Sequence, residues 1–154
     1  IMNILFCHGK EGSPDGTKAR TIRAAFGNVV TPTLTNSYAP ADFQNDLEIV
    51  EQAAKEADIL VGSSRGGALI CAARTSQQKI LICPAWKEFK VTPFVTKNDI
   101  IIHSKKDTVV PYANSQQLAD MFGCTLIEAG SDHRMSDEKT LALIINTIKG
   151  KQNG

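Results

Sequence analysis

Apolar positions along the chain follow two alternating rhythms. Short continuous aliphatic runs stand at 3–7, 28–34, 58–62, 79–83, 99–103 and 124–128, with the length and β-branched content of strands buried on both faces. Between them, apolar residues recur at helical spacing: Ala19, Ile22 and Phe26, then Phe43, Leu47, Val50 and Ala54. Residues 68–73 continue from a glycine pair, Leu118 with Met121 and Phe122 makes a shorter stripe, and Leu141, Ile144, Ile145 and Ile148 make the clearest one. The pattern predicts six strands and five helices in alternation, the signature of an α/β fold with a mainly parallel sheet. Right-handed crossovers then put helices on both faces, giving a three-layer α/β/α sandwich with its strand-to-helix turns along one edge. The connection 85–98 carries Pro93 and no helical stripe, and is barely long enough for a parallel crossover.

At 154 residues the chain is expected to form one domain over 1–154. Hydrophobic residues at 42% and charged residues at 21% fit an ordinary globular domain and exclude disordered, collagen-like and coiled-coil classes. Seventeen Lys plus Arg against sixteen Asp plus Glu leave a formal charge of +1, so no global field recommends nucleic acid or an anionic membrane, and neither is expected as a partner. No apolar stretch approaches the roughly 18 residues of a membrane span, and no basic segment with a long apolar one opens the chain, so the expected location is cytoplasmic. Cys7, Cys71, Cys83 and Cys124 form no C-x-x-C pair and sit in apolar runs. They read as buried thiols in a reducing compartment, with no metal and no cofactor expected.

The third apolar run leads into Gly62-Ser63-Ser64-Arg65-Gly66-Gly67 and then a helical segment, a G-x-S-x-G match at a strand-to-helix turn. A serine exposed on so tight a turn needs glycine two residues to either side, where a side chain would strike neighbouring backbone. A plain glycine-rich turn would explain the pentapeptide alone, so its partners decide. A serine hydroxyl is a poor nucleophile until a base takes its proton, and that base must be oriented by a third group.

Of the three histidines, His8 and His103 lie at strand ends and read as packed, hydrogen-bonded residues, whereas His133 follows the last strand in a loop returning to the edge that carries Ser64. Asp107 follows the fifth strand at the same edge, ahead of Glu88 as the acid, and the chain order becomes Ser64, Asp107, His133. An oxyanion needs two N–H donors. Arg65 supplies one from the residue after the nucleophile, and the loop after the first strand supplies the other from Lys10, with Glu11 second. Trp86, Phe89 and Phe94 follow the fourth strand and are candidates to wall a substrate pocket. Lys10, Arg65, Lys105, Lys106 and Arg134 all map to the same edge, a hint of an acidic substrate set against solvated surface charge.

His8-Gly9, the Gly62–Gly67 hexapeptide, Asp107-Thr108-Val109-Val110-Pro111 and Asp132-His133-Arg134 together resemble the motifs of small, lidless α/β-hydrolases, similar to compact bacterial serine esterases, over nearly the whole length. The resemblance implies a minimal fold with sheet order 2-1-3-4-5-6 and an open, shallow site, the segment 85–98 standing where a lid would be inserted. It departs from the family at Ser104, where glycine is frequent. The activity expected is hydrolysis of small acyl esters through an acyl-enzyme on Ser64, Asp107 and His133, with a small-molecule ester as partner. Thioester and peptide hydrolysis share this triad. A non-catalytic binding protein on the same fold, or a nucleotide binder using residues 62–67, are the rival classes. No G-x-G-x-x-G or P-loop pattern favours the last, and oligomeric state stays open.

Overall fold

The computed structural model describes residues 1–10 and 12–152. Six strands, β1 (Ile4–Cys7), β2 (Val29–Val30), β3 (Ile59–Ser63), β4 (Gln78–Ile82), β5 (Ile100–His103) and β6 (Thr125–Glu128), form one sheet in the order β2-β1-β3-β4-β5-β6. Every neighbouring pair is parallel. The helices are α1 (Thr17–Phe26), α2 (Pro40–Ala54), α3 (Arg65–Ala72), α4 (Tyr112–Phe122) and α5 (Glu138–Gln152).

Alternation along the strands sorts the core into two layers. Leu5, Cys7, Leu60, Leu81 and Ile101 pack with Val50 and Ala54 of α2, Leu69 and Ile70 of α3, and Leu118 of α4. Ile4, Phe6, Ile59, Val61, Ile80 and Ile102 pack on the other face with Ala19 and Ile22 of α1 and Ile144 and Ile148 of α5. The central strands therefore carry apolar residues on both faces over most of their length, which is why their runs are continuous, and their buried polar residues, Lys79, Ser63 and His103, fall at the strand ends.

The edges differ from the sequence expectation. The run 28–34 pairs at Ile4↔Val29 and Leu5↔Val30 alone. Pro32 has no N–H for a ladder, and Val30 is exposed. Met121 of the fourth helical stripe is also exposed, and Ser115 and Leu118 form the buried face of α4 instead. Residues 85–98 cross from β4 to β5 with neither helix nor strand, as the missing stripe predicts. Register brings Cys7 beside Gly62, Ser63 beside Ile82, and His103 beside Glu128, so the loops after β1, β3, β4, β5 and β6 gather at one edge. Among the described residues no helix is long and apolar enough to cross a membrane.

Candidate active site

The turn after β3 puts Ser64 in a conformation few residues other than glycine adopt, φ 56° and ψ −114°. Its backbone is fixed on three sides: its N–H donates to Ile82 O at 2.9 Å, and its carbonyl accepts from Ala68 N and Ala85 N, each at 3.0 Å. A Cβ on Gly66 would lie 2.0 Å from Cys7 O, and one on Gly62 would lie 2.3 Å from Gly66 O. Both glycines are therefore demanded by close backbone approach, and the turn is clamped between β1 and β4.

Ser64 Oγ lies 2.9 Å from His133 Nε2, and His133 Nδ1 lies 2.7 Å from Asp107 Oδ2. The Asp107 side chain is fully buried, and that of His133 is 20% exposed. Burial opposes ionisation of Asp107, but hydrogen bonds from His133 and from the Val110 and Val109 N–H groups outweigh it and hold the carboxyl below its ordinary range. An ionised Asp107 can only accept, so Nδ1 of neutral His133 carries the proton and Nε2 is left to accept from the Ser64 hydroxyl. The arrangement can move a proton from Ser64 to His133 while Asp107 balances the resulting charge. The rival acid, Glu88, is exposed, and Asp132 Oδ1 accepts from Met135 N at 3.1 Å.

A fourth group completes the row. His103, completely buried, donates from Nε2 to Asp107 Oδ2 and to Val110 O, both at 3.0 Å. Both partners are acceptors, so Nε2 carries the hydrogen and Nδ1 accepts from Ser115 Oγ at 2.7 Å. Burial holds this imidazole below its ordinary pKa, against the pull of the hydrogen bond to Asp107. The sequence reading of His103 as a packed strand-end residue describes its surroundings but misses its contact with Asp107. The i,i+4 spacing of His103 and Asp107 across the turn was the available signal. Ser104, in the place where glycine is frequent, donates to Gly130 O at 2.9 Å and accepts from Lys106 N at 3.0 Å. It thereby ties the Asp107 loop to the His133 loop.

Arg65 is the first residue of α3, so its N–H is among those without an intrahelical acceptor. Opposite it, a Cβ on Gly9 would come within 3.1 Å of Ser64 Cβ, so the chain entering Lys10 passes directly over Ser64. His8 braces that loop: its Nε2 accepts from Leu34 N at 3.2 Å, which leaves Nδ1 to donate to Gly9 O at 2.8 Å. Glu11, the second oxyanion candidate, lies outside the described residues.

The Arg65 side chain turns away from the edge, contrary to its grouping with the basic residues there. It is buried against Asp46 of α2 at 2.6 Å, with Ser37 O and Thr35 Oγ1 each at 3.0 Å and the Phe43 and Phe89 rings alongside. Asp46 was missed, although it occupies the apolar stripe of α2 between Phe43 and Val50, where a lone carboxylate calls for a buried partner.

A cavity of about 510 Å³ opens beside Ser64 and His133, walled by the described part of the β1–α1 loop, the start of α1, Tyr38, Val109, His133, Arg134 and Ser136. Neither Trp86 nor Phe89 lines it. The Trp86 indole is 6% exposed, packs in the core and donates to Asn114 O at 2.9 Å. Phe89 stacks on Phe43 and on Tyr38 at centroid distances of 5.2 and 5.4 Å, so Tyr38 stands between it and the cavity. Phe94 is exposed beside Lys79. A cleft of about 310 Å³ lined by Asp58, Ile59 and Gln78 lies at the opposite end of the strands, away from Ser64.

All four cysteines are free and buried. Cys83 Sγ donates to His133 O at 3.4 Å. Ligand atoms of Cys83, Asp107 and His133 lie within 4.8 Å of one another. Burial pushes the Cys83 thiol up to about 12, however, and His133 Nδ1 is committed to Asp107, so the donor set does not suit a metal.

No family model and no curated protein matches the sequence. Solved structures do. Alpha/beta hydrolase domain-containing protein 10 from mouse superposes with a TM-score of 0.80 at 19% identity, covering 98% of this chain and 89% of that one. The ydeN gene product from B. subtilis gives 0.78 at 17%, with 100% of both chains covered. Est1E from Butyrivibrio proteoclasticus gives 0.73 at 17%, covering 98% and 86%. At these identities the likeness is one of architecture, and with the strand order and helix layers above it establishes that the chain has the α/β-hydrolase fold.

Proposed function

We propose that the protein is a serine hydrolase that cleaves small acyl esters through an acyl-enzyme. Ser64 Oγ attacks the ester carbonyl as His133 Nε2 takes its proton. The oxyanion is met by the Arg65 and Lys10 backbone N–H groups. His133 then returns the proton to the leaving oxygen, and water repeats the sequence to free the acid. The observation that carries this reading is the continuous row of hydrogen bonds from Ser64 through His133 to a buried, ionised Asp107, at 2.9 and 2.7 Å. Esterases among the similar structures, one of them Est1E with ferulic acid bound, support an ester as substrate class. With no helix or strand in residues 85–98 to roof the site, short or protruding acyl groups suit it better than buried long chains. Intact triad geometry favours hydrolysis over a purely binding role.

The test is turnover of short-chain 4-nitrophenyl esters by the wild type and by Ser64→Ala. Hydrolysis should fall by at least about a thousandfold in the variant, with the folded far-ultraviolet signal retained. A variant that keeps the wild-type rate overturns the assignment.

A further inference from the structure

The cationic residues at the catalytic edge divide, in three dimensions, into those that face the cavity and those that do not. Arg65 is neutralised by buried Asp46. The Lys105 ammonium lies 5.7 Å over the Tyr112 ring, and neither it nor Lys106 lines the cavity. Lys10 and Arg134 do line it, joined by Lys18 and Arg20 of α1. Among the described residues the walls thus carry four cations and a single carboxylate, Asp15, whose Oδ1 faces Arg23 at 3.5 Å.

Lys18 and Arg134 form the wall next to His133. Lys18 Nζ donates to Arg134 O at 2.5 Å and to Ser136 Oγ at 3.4 Å, which holds the ammonium beside the His133 loop and leaves its third donor unassigned. Burial depresses the pKa of Lys18, Cys83 and Asp132 oppose that shift, and Arg134 adds to it. Lys18 is thus partly desolvated beside a like charge, the exposed Arg134, and among the described residues the carboxylate acting on Lys18, that of Asp132, hydrogen-bonds the Met135 N–H. A negative charge placed there would relieve their repulsion and gain two hydrogen-bonding partners.

The wall also has a side. The leaving oxygen of an ester must come within hydrogen-bond reach of His133 Nε2 to receive its proton, so of the two halves of the ester the leaving group is the one that starts beside the His133–Arg134 loop, on which Lys18 is hydrogen-bonded. We propose that the preferred substrate is an ester whose leaving group carries a carboxylate or phosphate, held by Lys18 and Arg134. This inference rests on the hydrolase reading above and narrows it to a substrate class.

Matched acetate esters test it: 3-acetoxybenzoate, with a charged leaving group, and 3-acetoxybenzamide, its neutral counterpart. The measured quantity is the ratio of their kcat/KM values in wild type, Arg134→Gln, Lys18→Gln and Arg134→Lys. The ratio should favour the charged ester in wild type. It should fall by about tenfold or more in each Gln variant, the order carried by one hydrogen bond to a charged group, and partly recover in Arg134→Lys. An unchanged ratio overturns the proposal. So does a fall in the ratio seen only when the charge is moved to the acyl side, using a monosuccinate ester of a neutral phenol. Binding of 3-hydroxybenzoate and 3-hydroxybenzamide to Ser64→Ala, measured by calorimetry, reads the same site without turnover. If neither ester is cleaved yet 3-hydroxybenzoate binds more tightly and loses that advantage in Arg134→Gln, the hydrolase reading fails and the anion site stands.

Discussion

Replacing His103 with Leu removes the one side-chain donor among the described residues, besides His133, that reaches the Asp107 carboxylate. The Nε2–H is shared between Asp107 Oδ2 and Val110 O, both at 3.0 Å. Its value to the carboxylate should therefore sit at the low end of about 1.5–3 kcal/mol for a hydrogen bond to a charged group. The Val109 and Val110 N–H groups still hold Oδ1, so Asp107 keeps its place but Oδ2 loses half of its restraint. His103 thus acts as a positioning residue, and the expected loss in kcat is about tenfold, the equivalent of ~1.4 kcal/mol, with little change in KM.

Two further readouts separate positioning from mere packing. With one donor fewer on Asp107, more of its negative charge falls on the His133 bond, so the acid limb of the kcat/KM profile should move to higher pH. His103→Gln, whose amide can donate to Asp107 and accept from Ser115, should recover most of both effects. Stability adds a third. Because burial lowers the His103 pKa from its ordinary 6.5, the unfolded chain takes up a proton first as pH falls. Wild-type stability should decline below about pH 6.5 by up to ~1.4 kcal/mol per pH unit from this group, whereas Asp107 contributes below about 3.8. His103→Leu should lose the upper slope while costing about 3 kcal/mol at pH 8, from the lost charge-assisted bond and the unpaired buried Ser115 hydroxyl. Superimposable pH–rate profiles for wild type and His103→Leu, with Gln no better than Leu, would refute the positioning role.

Two substitutions probe the scaffold. Asp46→Ala strands the Arg65 guanidinium, 1% exposed, and should cost about 3–5 kcal/mol in a urea melt; a cost below about 1 kcal/mol would mean that the pair is solvated. Gly66→Ala drives a methyl to 2.0 Å from Cys7 O, a collision with backbone that cannot be relieved by rotamer change. The loss should reach the upper end of overpacking, about 3 kcal/mol or more, and a wild-type melting curve would contradict the clamped turn.

Much of this fold was legible because β1, β3, β4 and β5 are buried on both faces and are apolar over most of their length, the buried polar residues Lys79, Ser63 and His103 standing at their ends. The ends of β2 were not, since an edge strand has one partner and its pairing stops where Pro32 interrupts it. Ser64, His133 and Asp107 lie each in hydrogen-bond reach of the next, since each follows a strand that ends at the same edge of the parallel sheet. Side-chain direction within loops is a tertiary property. Trp86 and Phe89 follow β4 as expected, yet one is drawn into the core by its indole N–H bond and the other into a stack with Tyr38 and Phe43. Arg65 illustrates the same limit, since its charge was visible but the carboxylate that cancels it lies 19 residues away on another element.

The central claim is that Ser64 is an activated nucleophile, and reaction with a fluorophosphonate probe followed by mass spectrometry of the labelled peptide tests it most directly. The geometry predicts a single adduct on Ser64 in the folded protein, absent from Ser64→Ala and from heat-denatured chain. Folded wild type that stays unlabelled, or that is labelled at another residue, would contradict it.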